Sequence, residues 1–206
     1  MMWHNVQQNT EEWEALRIGK ATASSFAKFM ANYGKPFGEP AERYALQIAL
    51  ERINGVKAEH SFNNKHTERG HDQEPEARIL YESEHFVDVT NGGFFDCGLY
   101  GDSPDGLVGD DGVIEIKSVI AETHYKTLKR DSFDPSYRWQ YVGHLDCTGR
   151  DWVDAVSYCS DFPADLRLIV HRIHKDDCLV ELKKLNEQRE LFLNMVKEIQ
   201  TKLLGK

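Results

Sequence analysis

The chain has 206 residues, 40% of them hydrophobic, and a formal net charge of −9, which suits one domain with its own core, since single cores commonly hold roughly 100–200 residues. It has no run of about 18 apolar residues to span a bilayer, and its opening MMWHNVQQNTEEWE lacks the basic-then-apolar layout of a signal peptide, so the expectation is a soluble, cytoplasmic protein. The acidic balance argues against non-specific coating of nucleic acid, which draws on basic excess, and leaves room for a localised basic channel.

In chain order, Thr10 before Glu11, Glu12 and Trp13 predicts a helix start, and TASSF at 22–26 predicts a second, with Ser or Thr as the cap. Glu39-Pro40 opens a third helix that Asn54-Gly55 closes. Residues 64–84 read as helical, with Pro75 expected to begin a new segment or bend the axis. Strands are expected near 86–89, 94–99, 105–109 and 113–119, helices over 121–129 and 135–147, and strands again at 152–159 and 166–173, which are rich in β-branched and aromatic residues. A long amphipathic helix over 176–203 carries Leu179, Leu182, Leu185, Phe192, Val196, Ile199 and Leu203 at near-helical spacing, a stripe read as core packing. The organisation is a single α/β domain: a helical N-terminal part (about 1–84), a small mixed central sheet flanked by helices (about 85–174) and the C-terminal helix.

The stretch GDSPDGLVGDDGVIEIKS, residues 101–118, raises the functional question. Strand side chains alternate faces, so Ile114 and Ile116 share one face while Glu115 and Lys117 share the other, with Cα atoms about 6.6 Å apart. A three-residue loop Asp110-Asp111-Gly112, with Gly112 left-handed, pairs 109 with 113, 107 with 115 and 105 with 117, and so brings Asp105 onto the face of Glu115 and Lys117. A two- or four-residue loop would set Asp105 beside Ile116 instead. Two carboxylates and an ammonium at one end of a hairpin suit Mg²⁺ or Mn²⁺, with the Ile116 carbonyl as a further oxygen and the lysine placed to orient or deprotonate the attacking water and to stabilise charge on a phosphate. The alternative is a salt bridge on an exposed sheet face, which contributes only ~0–1 kcal/mol.

Asp105 in Ser-Pro-Asp-Gly followed by Glu115-Ile116-Lys117 resembles the PD-(D/E)xK nuclease motif, and the chain more closely resembles the λ exonuclease family, also called YqaJ-like viral recombinase nucleases. The likeness runs through Trp13 to Ser24 (W-x-x-L-R-x-G-x-x-T-A-S), Arg69 to Arg78 (R-G-x-x-x-E-P-x-A-R), the hairpin, and Trp139 to Tyr141 (W-Q-Y). The resemblance implies a restriction-endonuclease-like core and a Mg²⁺-dependent enzyme that degrades one strand of linear duplex DNA from its 5′ end, processively, as a ring-shaped homotrimer. It implies a single-strand annealing protein as partner and a phage or prophage origin in a bacterial host. By the same resemblance Glu74, Asp105 and Glu115 hold one or two metal ions, Lys117 activates or orients water, Gln140 positions the nucleophile side, and Arg17 and Ser24 receive the DNA 5′-phosphate. Chemistry supports the last pair independently, because a helix start near Ser24 favours an anion and a guanidinium can form a paired contact with phosphate. Read without the motif, Ser24 is a cap, Arg17 a surface charge, Glu74 an early-helix acid and Gln140 a solvated helix residue.

Cys97, Cys147, Cys159 and Cys178 form no CxxC pair and read as reduced, packing thiols. His60, His66 and His71 place no clean pair on one helical face and read as surface or loop histidines. Asp96 and Asp102 are candidates for acids behind the first ligands, although Asp102 in G-D-S-P also suits a turn start. Duplex phosphates call for cations on the facing surface, for which Lys20, Lys28, Lys35, Arg43, Lys126, Lys129, Arg130 and Arg138 are candidates. The rival readings are an endonuclease or single-strand nuclease of the same fold, and a non-catalytic DNA-end-binding module.

Overall fold

The structure, a computed structural model, describes residues 1–58 and 65–205, and for 65–72 the backbone alone. His60 lies outside the described residues, as do the side chains of His66, Arg69 and His71.

Strand β1 (Met2–His4) leads to α1 (Glu11–Arg17), where Thr10 Oγ1 accepts the Trp13 N–H at 3.3 Å as expected of a cap. A helix does start within 22–26: after β2 (Ala21–Thr22), Thr22 is the N-cap of a 3₁₀ turn over Ala23–Ser25 that runs through Phe26 into the short α2 (Ala27–Met30). Thr22 caps it by position without a side-chain capping bond, its own N–H going to Tyr44 Oη at 3.0 Å while Ala21 and Thr22 pair with a distant strand. Helix α3 (Glu39–Asn54) closes on left-handed Gly55. Helix α4 (Lys65–His85) runs unbroken through Pro75, which costs an interior helix one backbone hydrogen bond and does not end this one.

The remaining elements are β3 (Val89–Asn91), β4 (Phe94–Asp96), β5 (Tyr100–Asp102), β6 (Gly106–Val108), β7 (Gly112–Ser118), α5 (Ala121–Arg130), α6 (Arg138–Thr148), β8 (Trp152–Tyr158), β9 (Leu168–His174) and α7 (Leu179–Leu203). They build two sheets, ordered β1-β4-β5-β2 and β3-β6-β7-β8-β9. The expected strand over 94–99 is cut short because Asp96 Oδ1 takes the Gly98 N–H at 2.8 Å and Gly98 adopts φ +87°, turning the chain back into β5. The N-terminal part is therefore not wholly helical, since β1 and β2 flank β4 and β5 in the smaller sheet.

In the larger sheet β7 and β8 are parallel, joined by the α5–α6 crossover, and every other pair is antiparallel. Its two faces meet different cores. Ile114 and Ile116 pack with Ala77 and Tyr81 of α4, whereas Val113 packs with Tyr141, Val142 and Leu145 of α6 and with the α3 and α7 residues beyond. Burial at roughly 25 cal/mol per Å² of apolar surface is what holds β7 between these layers. Along α7, Leu185, Phe192 and Val196 are buried, but Leu179 and Leu203 at its ends are 61% and 51% exposed and do not belong to the core stripe. The four cysteines are free thiols, three of them buried. Among the described residues no helix is long and apolar enough to cross a membrane.

Candidate active site

The β6–β7 hairpin keeps a three-residue loop, but in a different place. Val108 pairs with Gly112, Leu107 with Val113 and Gly106 with Ile114, so the loop is Gly109-Asp110-Asp111 and the left-handed glycine is Gly109, at φ +54°. Gly112 belongs to the strand because Trp152 lies against it: a Cβ there would stand 2.1 Å from the indole. The Arg150 guanidinium fastens this end by donating to the carbonyls of Gly109 and Gly112, each at 2.8 Å. The register is thus two residues from the expected one, and since side chains repeat every two residues the predicted face survives.

On that face Asp105 Oδ2 accepts the Ile116 N–H at 2.7 Å, which brings the backbone of Ile116 to the site. Glu115, 3% exposed, receives Lys117 Nζ at 2.6 Å and Gln140 Nε2 at 2.5 Å, both on Oε1. Its other oxygen, Oε2, stands 3.0 Å from His144 Nε2, close enough for charge attraction yet off the hydrogen-bond direction, so both atoms are buried without an aligned partner. His144 Nδ1 lies 2.7 Å from Asp102 Oδ2, and Asp102 Oδ1 accepts the Ser103 N–H at 2.8 Å. Lys117 also sits 4.8 Å from the centre of the Tyr137 ring, a favourable cation–π approach. Glu74, on α4, is half-buried and close enough for its charge to act on Asp105.

The electrostatics sort these groups. Burial and the neighbouring carboxylates of Glu115 and Glu74 raise the proton affinity of Asp105 well above the ordinary aspartate range, against the pull of Lys117 and the Ile116 N–H. Burial alone would raise Glu115 too, but Lys117 and His144 outweigh it and hold its pKa at about 2. Burial disfavours the Lys117 ammonium, while Glu115 and Asp105 restore and raise its pKa. His144 follows the same logic, with Asp102 and Glu115 lifting it to about 10 despite complete burial. Lys117 is therefore an ammonium that can donate and stabilise charge, not a free amine awaiting a proton.

These donors suit a hydrated hard cation. Among the described residues no group of three or more His, Cys, Asp or Glu side chains forms a metal cage. Mg²⁺ does not need one, since it keeps several waters and is bound through one or two carboxylates plus substrate oxygens. An oxygen of Glu115 without an aligned partner, and neighbouring carboxylates that raise the proton affinity of Asp105, are what a bound cation would relieve.

Arg17 ends α1 with its guanidinium 3.9 Å from the centre of the Trp13 ring. Burial lowers its pKa against the opposing charges of Tyr44, Asp102, Glu14 and Glu51, so Arg17 stands within electrostatic reach of Asp102. Trp13 reaches the same region by donating its indole N–H to Ser103 Oγ at 2.5 Å. Ser24 is exposed, with Oγ 3.3 Å from Thr22 Oγ1, and lies in the three-residue 3₁₀ turn. The turn runs on through Phe26 into α2, and the Phe26 N–H bonds back to the Ala23 carbonyl at 3.1 Å, so Ser24 sits in the first turn of this helical segment. Several candidate DNA-facing cations already have partners: Lys20 with Asp96, Lys126 with Glu122, Arg43 with Glu39 and Arg138 with Glu181, while Lys28 lies over the Tyr44 ring.

His144 is the site residue that sequence reasoning passed over. Its signal was present, because it follows Gln140 by four residues on one helix and so shares its face. Asp102, weighed as either an outer acid or a turn former, ends β5 and holds His144 behind Glu115.

The sequence model of the YqaJ-like viral recombinase domain matches residues 12–151. The crystal structure of an alkaline exonuclease, LHK-Exo, from Laribacter hongkongensis is 33% identical with TM-score 0.79, the match covering 95% of this chain and 99% of that one. The structure of LHK-Exo in complex with dAMP matches at 34% identity and TM-score 0.80 over the same shares, 95% and 99%. A phage-related exonuclease from Haemophilus somnus 129PT is similar in fold, at 16% identity and TM-score 0.67 over 90% of this chain and 95% of that one. No curated protein matches the chain.

Proposed function

The chain belongs to the nuclease family of YqaJ-like viral recombinase domains and alkaline exonucleases, and from that premise we propose that it is a Mg²⁺-dependent 5′-to-3′ exonuclease of linear double-stranded DNA. It removes one strand processively and leaves 3′ single-stranded tails for recombination by strand annealing. The observation that carries this reading is Glu115, whose Oε1 gathers Lys117 and Gln140 beside Asp105 at one end of the hairpin. Carboxylates for a hydrated cation and a fixed ammonium for a phosphate are the parts that phosphodiester hydrolysis requires.

In this reading Glu74, Asp105, Glu115 and the Ile116 carbonyl would hold one or two Mg²⁺ ions, for which Mn²⁺ could substitute. The ion, when bound, polarises the scissile phosphate and lowers the pKa of water. Lys117, kept charged between Glu115 and Asp105, holds the attacking water in line and stabilises negative charge as it builds on the phosphate oxygens. Gln140, buried and bonded to Glu115, keeps the nucleophile side in place. Arg17 and Ser24 receive the 5′-phosphate, which sets the register of the strand to be cut.

An acidic chain can hold duplex DNA if weak inner contacts are repeated, and a homotrimeric ring would repeat each of them three times and make release a matter of sliding off an end. A single-strand annealing protein as partner, and the cytoplasm of a bacterial host with a phage or prophage origin, belong to the same reading.

The test is a timed Mg²⁺ digestion of linear duplex DNA with one strand labelled and its 5′ ends phosphorylated or hydroxylated, beside a closed circle. The expected result is loss of the 5′-phosphorylated strand with the circle intact. A cut circle would refute the exonuclease in favour of an endonuclease of the same fold.

A further inference from the structure

Glu115 is faced from one helix by two side chains a turn apart, one hydrogen-bonded to it and one in charge contact. Gln140 addresses Oε1 and His144 stands against Oε2, so α6 grips both oxygens of the same carboxylate. The grip is stiff at its far end. His144 is fully buried, its Nδ1 is tied to Asp102, and Asp102, 2% exposed, spends its second oxygen on the Ser103 N–H. The helix is also close against its neighbour: a Cβ on Gly143 would stand 2.7 Å from the Cβ of Ala23 and 2.9 Å from the Phe26 ring. A side chain added there would push α6, and with it Gln140 and His144, off Glu115.

We infer that His144, oriented by Asp102, is a positioning residue that fixes the plane of the Glu115 carboxylate and thereby where Glu115 presents oxygen to a divalent cation. The inference rests on the proposed metal role of Glu115. Its physical content is that Lys117 and Gln140 alone constrain only Oε1 and leave the carboxylate free to rotate about that anchor. With Oε2 faced by an imidazole that cannot turn, the rotation is closed. Because Lys117 is bonded to the same carboxylate, fixing Glu115 also fixes the ammonium. A histidine that served the fold alone would need a partner on each nitrogen, but not one nitrogen directed at a site carboxylate.

The experiment measures Mn²⁺ binding to the full chain without DNA, by calorimetry or by loss of the free-ion EPR signal, together with kcat and KM on linear duplex. His144→Leu keeps volume and removes both nitrogens; His144→Gln keeps one donor at the Nε2 end. Expected is a ~10–100-fold loss of Mn²⁺ affinity in His144→Leu, with kcat reduced, KM for DNA unchanged and most of the affinity recovered in His144→Gln. Unaltered affinity and kcat in His144→Leu overturn the inference, as does an equal loss in both variants with KM raised alongside, the mark of general damage. Asp102→Asn, which keeps the shape and removes the charge, is the second arm should His144→Leu not fold: weakened Mn²⁺ binding supports the positioning role and unaltered binding overturns it. Glu115→Gln separates the premise, since undiminished Mn²⁺ binding there would refute the metal role of Glu115 itself.

Discussion

Replacing Lys117 by alanine separates the groups that hold a cation from the group that acts on the phosphate. The side chain is 22% exposed, its Nζ is 2.6 Å from Glu115 Oε1, and Glu115 and Asp105 are the carboxylates that act on its charge most. Its loss leaves Glu115 with Gln140 and His144 as partners, and His144 continues to oppose the burial that would raise the Glu115 pKa from its value of about 2. With the His144 charge and the Gln140 bond retained, Glu115 is expected to remain an ionised cation ligand at neutral pH. What disappears is an ammonium aimed at charge that develops in the transition state, and removal of such a donor costs roughly 10²–10³ in kcat. Single-turnover cleavage of a labelled linear duplex at saturating Mg²⁺ measures the loss, with Mn²⁺ titration as the control for the ligands. The defect should persist from pH 7 to pH 9, because it does not arise from a protonated Glu115. Cleavage at the wild-type rate would remove Lys117 from the mechanism, and a defect abolished by raising the pH would show that its role is to keep Glu115 ionised.

Arg17→Ala should lower the preference for a 5′-phosphorylated end over a 5′-hydroxyl while leaving Mn²⁺ affinity unchanged, and an intact preference would move the end pocket elsewhere. Chelation by EDTA should stop cleavage, with Mg²⁺ or Mn²⁺ restoring it; turnover after exhaustive chelation would defeat the metal-dependent reading. Asp154, 1% exposed, accepts Tyr81 Oη at 2.6 Å and two Arg172 nitrogens at 2.8 Å. Asp154→Ala orphans the tyrosine hydroxyl and the arginine; as the Arg172 side chain is 42% exposed, the expected cost is about 2–3 kcal/mol, at or below the lower end for a fully buried pair, read by urea denaturation. In the metal-free chain the folded pKa of His144 is raised from 6.5 to about 10. Its contribution to stability is complete below pH 6.5 and is lost as pH rises through 10, so denaturation midpoints should fall across that window and fall less steeply in Asp102→Asn.

The amino-acid sequence by itself determined which residues could converge. The alternation in V-I-E-I-K-S assigns Ile114 and Ile116 to one core and Glu115 and Lys117 to the other face, and a period of two makes that assignment immune to a two-residue shift of register. Thr10, Gly55 and Gly149 mark helix ends through local chemistry that no distant residue alters. The tertiary structure decided what local signals leave open. Trp152, forty residues beyond Gly112, lies where a side chain at 112 would go, and so sets the hairpin loop at 109–111. Strands β1, β2 and β5, of two or three residues each, carry too few side chains for an alternation and exist because partners far along the chain supply their hydrogen bonds. His144 shares a helical face with Gln140 on spacing alone, but only the fold brings Asp102 and Glu115 to its two nitrogens, because those contacts join positions 42 and 29 apart in the chain and are made by packing α6 against both sheets.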